Sequence, residues 1–152
     1  MRTVLFICTG NTCRSPMAEG IARHLLESGA VEGVDSGLFV ASAGVFASDG
    51  VPISPESADA LVRRGIEADI RSTRLTPEMV HEADLVLGMT SSHVQAARMM
   101  AGEDCDTPID RVDPDHDIED PIGMGQDAYD RVARRLDEVL PERLRSLLAP
   151  SS

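Results

Sequence analysis

The chain has no tryptophan, a single tyrosine (Tyr129) and three phenylalanines among its 152 residues. A core this poor in aromatics has to rest on Leu, Val, Ile, Met and Ala. Positive charge is also short: the formal net charge is -12. Nucleic-acid binders need clustered Lys and Arg against the phosphate backbone, so no nucleic-acid partner is expected. An acidic surface keeps a protein soluble without naming its partner. Long hydrophobic runs are missing too. The run from Val4 to Ile7 is too short for a signal peptide and lacks a small-residue cleavage site. Nothing approaches a membrane span, so no membrane partner is expected. The three cysteines, Cys8, Cys13 and Cys105, are too few for a disulfide framework. The expected setting is a reducing cytoplasm.

What is present has a clear order. The length suits one domain over residues 1–152, the last few forming a flexible tail. Val4-Leu5-Phe6-Ile7 reads as a strand buried on both faces. After the segment Cys8 to Arg14, Ser15 reads as a helix N-cap and Pro16 as the first helical residue. Met17, Ile21 and Leu25 then share a face, beside Ala18, Ala22 and Leu26, and Gly29 is a stop. A strand is expected over Leu38 to Ala43. A helix opens at Ser54-Pro55 and carries Ala58, Leu61 and Val62 to Gly65. A short strand over Ala68 to Ile70 and a short helix at Thr76-Pro77-Glu78 follow. Asp84 to Met89 is a further buried strand, and Ser92 to Met100 a helix. Residues 101–125 read as loop. A final helix over Gln126 to Leu148 puts Ala128, Val132, Leu136 and Leu140 on one face, with Pro141 set to kink or split it. Alternating strands and helices imply an α/β fold, a parallel sheet covered on both faces. Such sheets bind ligands beyond the carboxyl ends of the strands, where chain order reverses.

Cys8 to Ser15 (Cys-Thr-Gly-Asn-Thr-Cys-Arg-Ser) sits at such an end. Gly10 and Asn11 tolerate the left-handed backbone that turns N–H groups inward. Those groups and a helix N-terminus form an anion pocket. Arg14 can grip two phosphate oxygens at once. The same positive field favours a thiolate at Cys8, at the foot of the pocket. A thiolate attacking phosphorus gives a phosphocysteine that water hydrolyses. The Ser15 hydroxyl can cap the helix, donate to the thiolate, or both. A Walker loop fails here for want of its Lys, and a dinucleotide fingerprint fails because only Gly10 is available. Cys-x5-Arg alone also fits a buried structural Cys near a surface Arg; its place between strand and helix is what favours chemistry.

Cleavage also needs a proton for the leaving group. Asp113-Pro114 and Asp120-Pro121 look alike as sources, and chemistry does not separate them. Asp113-x-Asp115-x-Asp117 suggests a calcium loop, but Ile118 holds the required Gly position and Met124 the closing Glu position. His116 reads as a surface residue. No metal and no cofactor are expected.

Cys8 to Ser15 with Pro16-Met17-Ala18-Glu19, Ser42-Ala43-Gly44, Ala83 to Leu87 and Asp120-Pro121 together resemble the low-molecular-weight protein tyrosine phosphatase family. The resemblance covers nearly the whole chain. It implies a three-layer, doubly wound sheet of four parallel strands. It implies Cys8 as nucleophile, Arg14 as phosphate and transition-state binder, and Ser15 as stabiliser of the thiolate. The phosphate-binding loop would comprise Thr9, Gly10, Asn11, Thr12, Cys13 and Ser15, with Ser42 hydrogen-bonded to Asn11 as loop support. Gly123 and Tyr129 at their spacing assign the acid to Asp120. The loop, Ser42 to Ser48 and the Asp120 to Tyr129 spacing look like the bacterial protein arginine phosphatase branch, in which the loop carries Thr, here Thr12, where tyrosine phosphatases carry Ile. A hydroxyl suits a guanidinium as a branched alkyl group suits a phenyl ring. The family also implies a reversible disulfide between Cys8 and Cys13; by its residue type alone Cys13 equally fills a small buried space. Two positions depart from the pattern. Ile122 follows Asp-Pro where an aromatic often lines the cleft, and Ile70 stands at a position that often holds a His.

The expected function is hydrolysis of phosphoarginine in proteins, by a monomer. Tyrosine phosphatase activity is the first alternative. A thioredoxin-linked arsenate reductase would need relay cysteines that are missing after Leu85 to Met89. A phosphate-binding module without turnover is the remaining alternative.

Overall fold

The computed structural model describes residues 2–31, 33, 38–67 and 69–148. The expected flexible tail and Ala68 lie outside them. Strand β1 (Thr3–Cys8) runs at the centre of a four-stranded parallel sheet of order β2-β1-β3-β4, with β2 Phe39–Gly44, β3 Leu85–Gly88 and β4 Ile109–Arg111. The continuous apolar run of β1 has the expected cause: both its faces are buried. Val4, Phe6 and Cys8 face a core shared with helices α1 (Arg14–Glu27), α2 (Pro55–Val62) and α5 (Gln126–Leu148), through Met17, Ile21, Leu61, Leu136 and Leu140. Leu5 and Ile7 face the other core, under α3 (Pro77–Glu82) and α4 (Ser91–Ala101), with Val80, Val86, Val94 and Ala97. The period of two along β1 thus builds both layers.

Chain order places β2 on one side of β1 and β3 on the other. The loop leaving β1 therefore opens at the reversal point, the usual ligand crevice of such sheets.

Four expectations need correction. No strand forms over the described residues of 68–70; Ile53 N–H instead bonds the Ile70 carbonyl, and the strap that follows meets its neighbours through isolated bridges (Pro52 to Arg71, Gly44 to Arg74) and single hydrogen bonds rather than a ladder. The fourth strand is β4, inside the stretch read as loop. It is an edge strand of three residues, Ile-Asp-Arg, with one buried side chain, so it carries no apolar pattern. Helix α5 is unbroken through Pro141. The lost bond is the one to the Asp137 carbonyl, while Leu136, Leu140 and Leu144 on the same helix are fully buried and hold it against the core. Lastly, α1 begins at Arg14 with Cys13 as its N-cap and no side-chain cap bond. Ser15 lies inside the first turn, where its hydroxyl is free for other partners. Pro16 fits there because first-turn N–H groups have no intrahelical acceptor.

Candidate active site

The segment after β1 closes into a cleft of about 140 Å³ lined by Cys8, Thr9, Gly10, Thr12, Cys13, Arg14, Asp120 and Ile122. Asn11 makes the turn with φ 56°, while Gly10, expected to share that conformation, does not take a positive φ. Asn11 affords αL because its short polar side chain bonds locally.

Those bonds have a fixed direction. The Thr73 N–H donates to Asn11 Oδ1 at 2.8 Å, which orients the amide. Asn11 Nδ2 then donates to Ser15 Oγ at 2.7 Å. Ser15 Oγ lies 2.8 Å from Cys8 Sγ. Having accepted from Asn11, the Ser15 hydroxyl turns its own hydrogen to the sulfur. The chain of donors ends on Cys8, which is buried. Such a donor stabilises a thiolate more than a thiol.

Thr73 is held for this task by its own backbone: its carbonyl accepts from Gly44 N–H, and Leu75 N–H bonds the Gly44 carbonyl. Gly44 ends β2 against the loop. A Cβ there would lie 2.5 Å from the Thr9 carbonyl oxygen and 2.9 Å from the Asn11 nitrogen. The last residue of Ser42-Ala43-Gly44 is thus dictated by close approach.

Ser42 does not bond Asn11. It donates to Glu19 Oε1 at 2.7 Å. Alternation explains the correction: Ser42 pairs with Phe6 in the sheet and shares the face of Val40, which is packed with α1. Glu19 comes from α1 and also accepts from Arg23 at 2.8 Å. Ser42 therefore ties β2 to α1. Asn11 is anchored instead to the backbone at Thr73.

Arg14 is buried, with Nη1 donating to the Ile118 carbonyl at 2.9 Å and Nη2 3.9 Å from Asp120 Oδ2. Ile118 is itself held on the end of β3 by its N–H to the Met89 carbonyl. Asp120 Oδ1 accepts from Ile122 N–H at 3.1 Å, and its side chain is half exposed, so Oδ2 is presented at the cleft. Asp113, the rival in sequence, is buried and committed elsewhere. Burial works against its charge, but Arg135 and the N–H groups of Asp115 and His116 outweigh that and hold its carboxyl below the ordinary value. Asp117 bonds Ser91 N–H and Arg111. His116 is exposed.

Thr12 is half-buried at the rim and its carbonyl accepts from Ser54 N–H, joining the loop to the start of α2. Cys13 is a buried free thiol in contact with Ser54 Oγ and Tyr129 Oη, each at 3.6 Å. Burial first, then the bond with Cys13, pushes the Tyr129 phenol above its ordinary range. Ile122 is exposed at the mouth.

Sequence reasoning missed His93 and Thr73. Burial, then the charge of Arg14, lowers His93 to about 4, against Asp117 and Asp120. Its one readable signal is position: the first turn of the helix after β3, the strand beside β1.

Together these groups can seat a tetrahedral anion on the loop, stabilise a sulfur nucleophile beneath it and supply a carboxyl group above it. The chain matches the family described as low molecular weight phosphotyrosine protein phosphatase over residues 3–150. It is 38% identical over 148 residues to the protein-arginine-phosphatase of Bacillus subtilis, covering 95% of each chain. It is 41% identical over 145 residues to the protein-arginine-phosphatase of Geobacillus stearothermophilus, covering 93% of this chain and 92% of that one. A solved structure of the arginine phosphatase YwlE, a mutant with a phosphorylated active-site serine, superposes with a TM-score of 0.83 at 34% identity, covering 95% of this chain and 93% of the other.

Proposed function

The chain belongs to the low molecular weight phosphotyrosine protein phosphatase family, and we propose that within it this enzyme hydrolyses phosphoarginine in proteins through a phosphocysteine. The observation that carries the reading is the directed donor chain ending on Cys8, in one cleft with Arg14 and Asp120.

The Cys8 thiolate attacks phosphorus. Arg14 and the loop N–H groups hold the nonbridging oxygens, whose charge is stabilised through the transition state. As the P–N bond breaks, Asp120 gives its proton to the leaving nitrogen, because an unprotonated guanidine leaves poorly. The arginine side chain departs with that proton on the released nitrogen, and Cys8 carries the phosphoryl group. Asp120, now a carboxylate, takes a proton from water as its oxygen attacks phosphorus. The S–P bond breaks, phosphate leaves and the thiolate is restored. A relative with a phosphorylated active-site serine supports the covalent step.

Two relatives named protein-arginine-phosphatases support the substrate. Thr12 supports it chemically, since a rim hydroxyl can accept from a guanidinium. The apolar side chain of Ile122 at the mouth favours the second reading, a tyrosine phosphatase. An arsenate reductase relay has no support from Cys105, which precedes β4 and so lies toward the amino ends of the parallel strands, away from Cys8. A single cytoplasmic domain acting as a monomer suits the three free cysteines and fits the reading. Under peroxide the Cys8 thiolate would become a sulfenic acid, and the Cys13 thiol, giving up its contacts with Ser54 and Tyr129, would attack that sulfur and release water to form the disulfide.

The test compares phosphoarginine and phosphotyrosine forms of one peptide. The arginine form should turn over faster, and Cys8→Ser should abolish both. Faster tyrosine turnover would replace the substrate and keep the mechanism; no turnover of either, nor of p-nitrophenyl phosphate, would leave a phosphate-binding module. Thr12→Ile should move the ratio toward tyrosine by about tenfold, the worth of one hydrogen bond.

A further inference from the structure

His93 reaches the loop from outside it. It is 5% exposed, on the first turn of α4, with Nε2 2.9 Å from Thr9 Oγ1. The end of β3 is trimmed to admit it: a Cβ on Gly88 would lie 3.1 Å from His93 Cβ. Nδ1 lies 3.2 Å from the Thr90 backbone N–H, a group that can only donate. Nδ1 therefore carries the lone pair and the ring hydrogen sits on Nε2. Thr90 Oγ1 accepts from His93 N–H at 3.3 Å and lies 3.1 Å from Nδ1, so its own hydrogen reinforces the same tautomer. Burial, then the charge of Arg14, outweigh Asp117 and Asp120, which favour the charged ring, and leave it neutral at working pH.

The consequence falls on Thr9. Its hydroxyl accepts from His93, so its hydrogen is not consumed there. Thr9 is exposed and lines the cleft with Cys8, Arg14 and Asp120. We propose that the Thr9 hydroxyl is a further phosphate donor, contributing its O–H to a nonbridging oxygen of the group over Cys8, and that His93 is the positioning residue that sets its direction. The proposal rests on the phosphatase reading above.

The experiment measures inhibition of p-nitrophenyl phosphate hydrolysis by inorganic phosphate, with kcat and KM, in the parent, Thr9→Val, Thr9→Ser, His93→Leu and Thr9→Val/His93→Leu enzymes. Thr9→Val should weaken phosphate roughly ten- to hundredfold, as for one hydrogen bond to a charged group. Thr9→Ser should restore it to within about twofold, since it keeps the donor. His93→Leu should weaken phosphate to a similar degree, and the double variant should be no worse than the single ones, because both remove one interaction. Native inhibition in Thr9→Val, or losses that multiply in the double variant, would overturn the proposal while leaving a phosphatase. A parent enzyme that neither turns over nor binds phosphate would overturn both readings.

Discussion

At Ser15, one hydroxyl has two neighbours and only one hydrogen. Asn11 can only donate through Nδ2, so the hydrogen goes to Cys8. Ser15→Ala removes the final donor and strands the Asn11 amide. The loss of a hydrogen bond to a charged group is about 1.5–3 kcal/mol, so kcat should fall roughly ten- to hundredfold. KM for p-nitrophenyl phosphate should change little, since Ser15 faces the sulfur. Steady-state kinetics at saturating substrate check this; a KM effect with native kcat would move Ser15 from the sulfur to the substrate. The hydroxyl also shows why the sequence misled locally. Ser-Pro reads alike whether serine caps a helix or sits in its first turn. What separates the two is the sulfur seven residues earlier, a contact that no local pattern records.

Between elements, the tightest fit is the end of β2 against the loop. Gly44→Ala would drive a Cβ to 2.5 Å from the Thr9 carbonyl and 2.8 Å from Ala47 Cβ. Overpacking of this kind costs about 1–3 kcal/mol and displaces backbone. Urea denaturation should show that loss together with weakened phosphate inhibition. Gly10→Ala is the contrast, because its Cβ would meet only Thr12 Oγ1 at 3.8 Å; its stability should stay within about 1 kcal/mol of the parent. Elements with strong local chemistry were legible: β1 from its apolar run, α2 and α3 from Ser-Pro and Thr-Pro caps, α5 from its long apolar face. Strand β4 was not, because an edge of Ile-Asp-Arg has neither length nor alternation. The Ser42 pairing was misjudged because its face is set by register with Phe6, which a single segment does not disclose. Cys8, Arg14 and Asp120 were legible as a set only through the resemblance; the residues alone left Asp113 open until its bond to Arg135 was seen.

For the molecule as a whole, pH acts through two opposing terms. A formal charge of -12 relaxes on acidification as carboxylates protonate, which favours the compact state. His93 acts the other way. Its folded value of about 4 lies below the unfolded value of 6.5, so the unfolded chain binds the extra proton between them. Stability from this group is fully present above 6.5 and is lost as pH falls through that window. The difference between about pH 7.5 and pH 5 is about 2 kcal/mol. Denaturant midpoints at the two pH values, in the parent and in His93→Gln, isolate it: the variant should lose this part of the acid sensitivity. Equal slopes in both proteins would mean that His93 charges freely in the fold.

The anchor of Asn11 lies 62 residues downstream, at Thr73. Synthesis runs from the N-terminus, so Cys8, Arg14 and all of α1 are made before that amide exists. A nascent chain ending between Ser15 and Ser72 carries the complete Cys-x5-Arg signature with a sulfur whose donor chain has no first member. The donor chain on the thiol is complete only with the strap beside β2 in place, and a motif read from an N-terminal fragment overstates what that fragment can do.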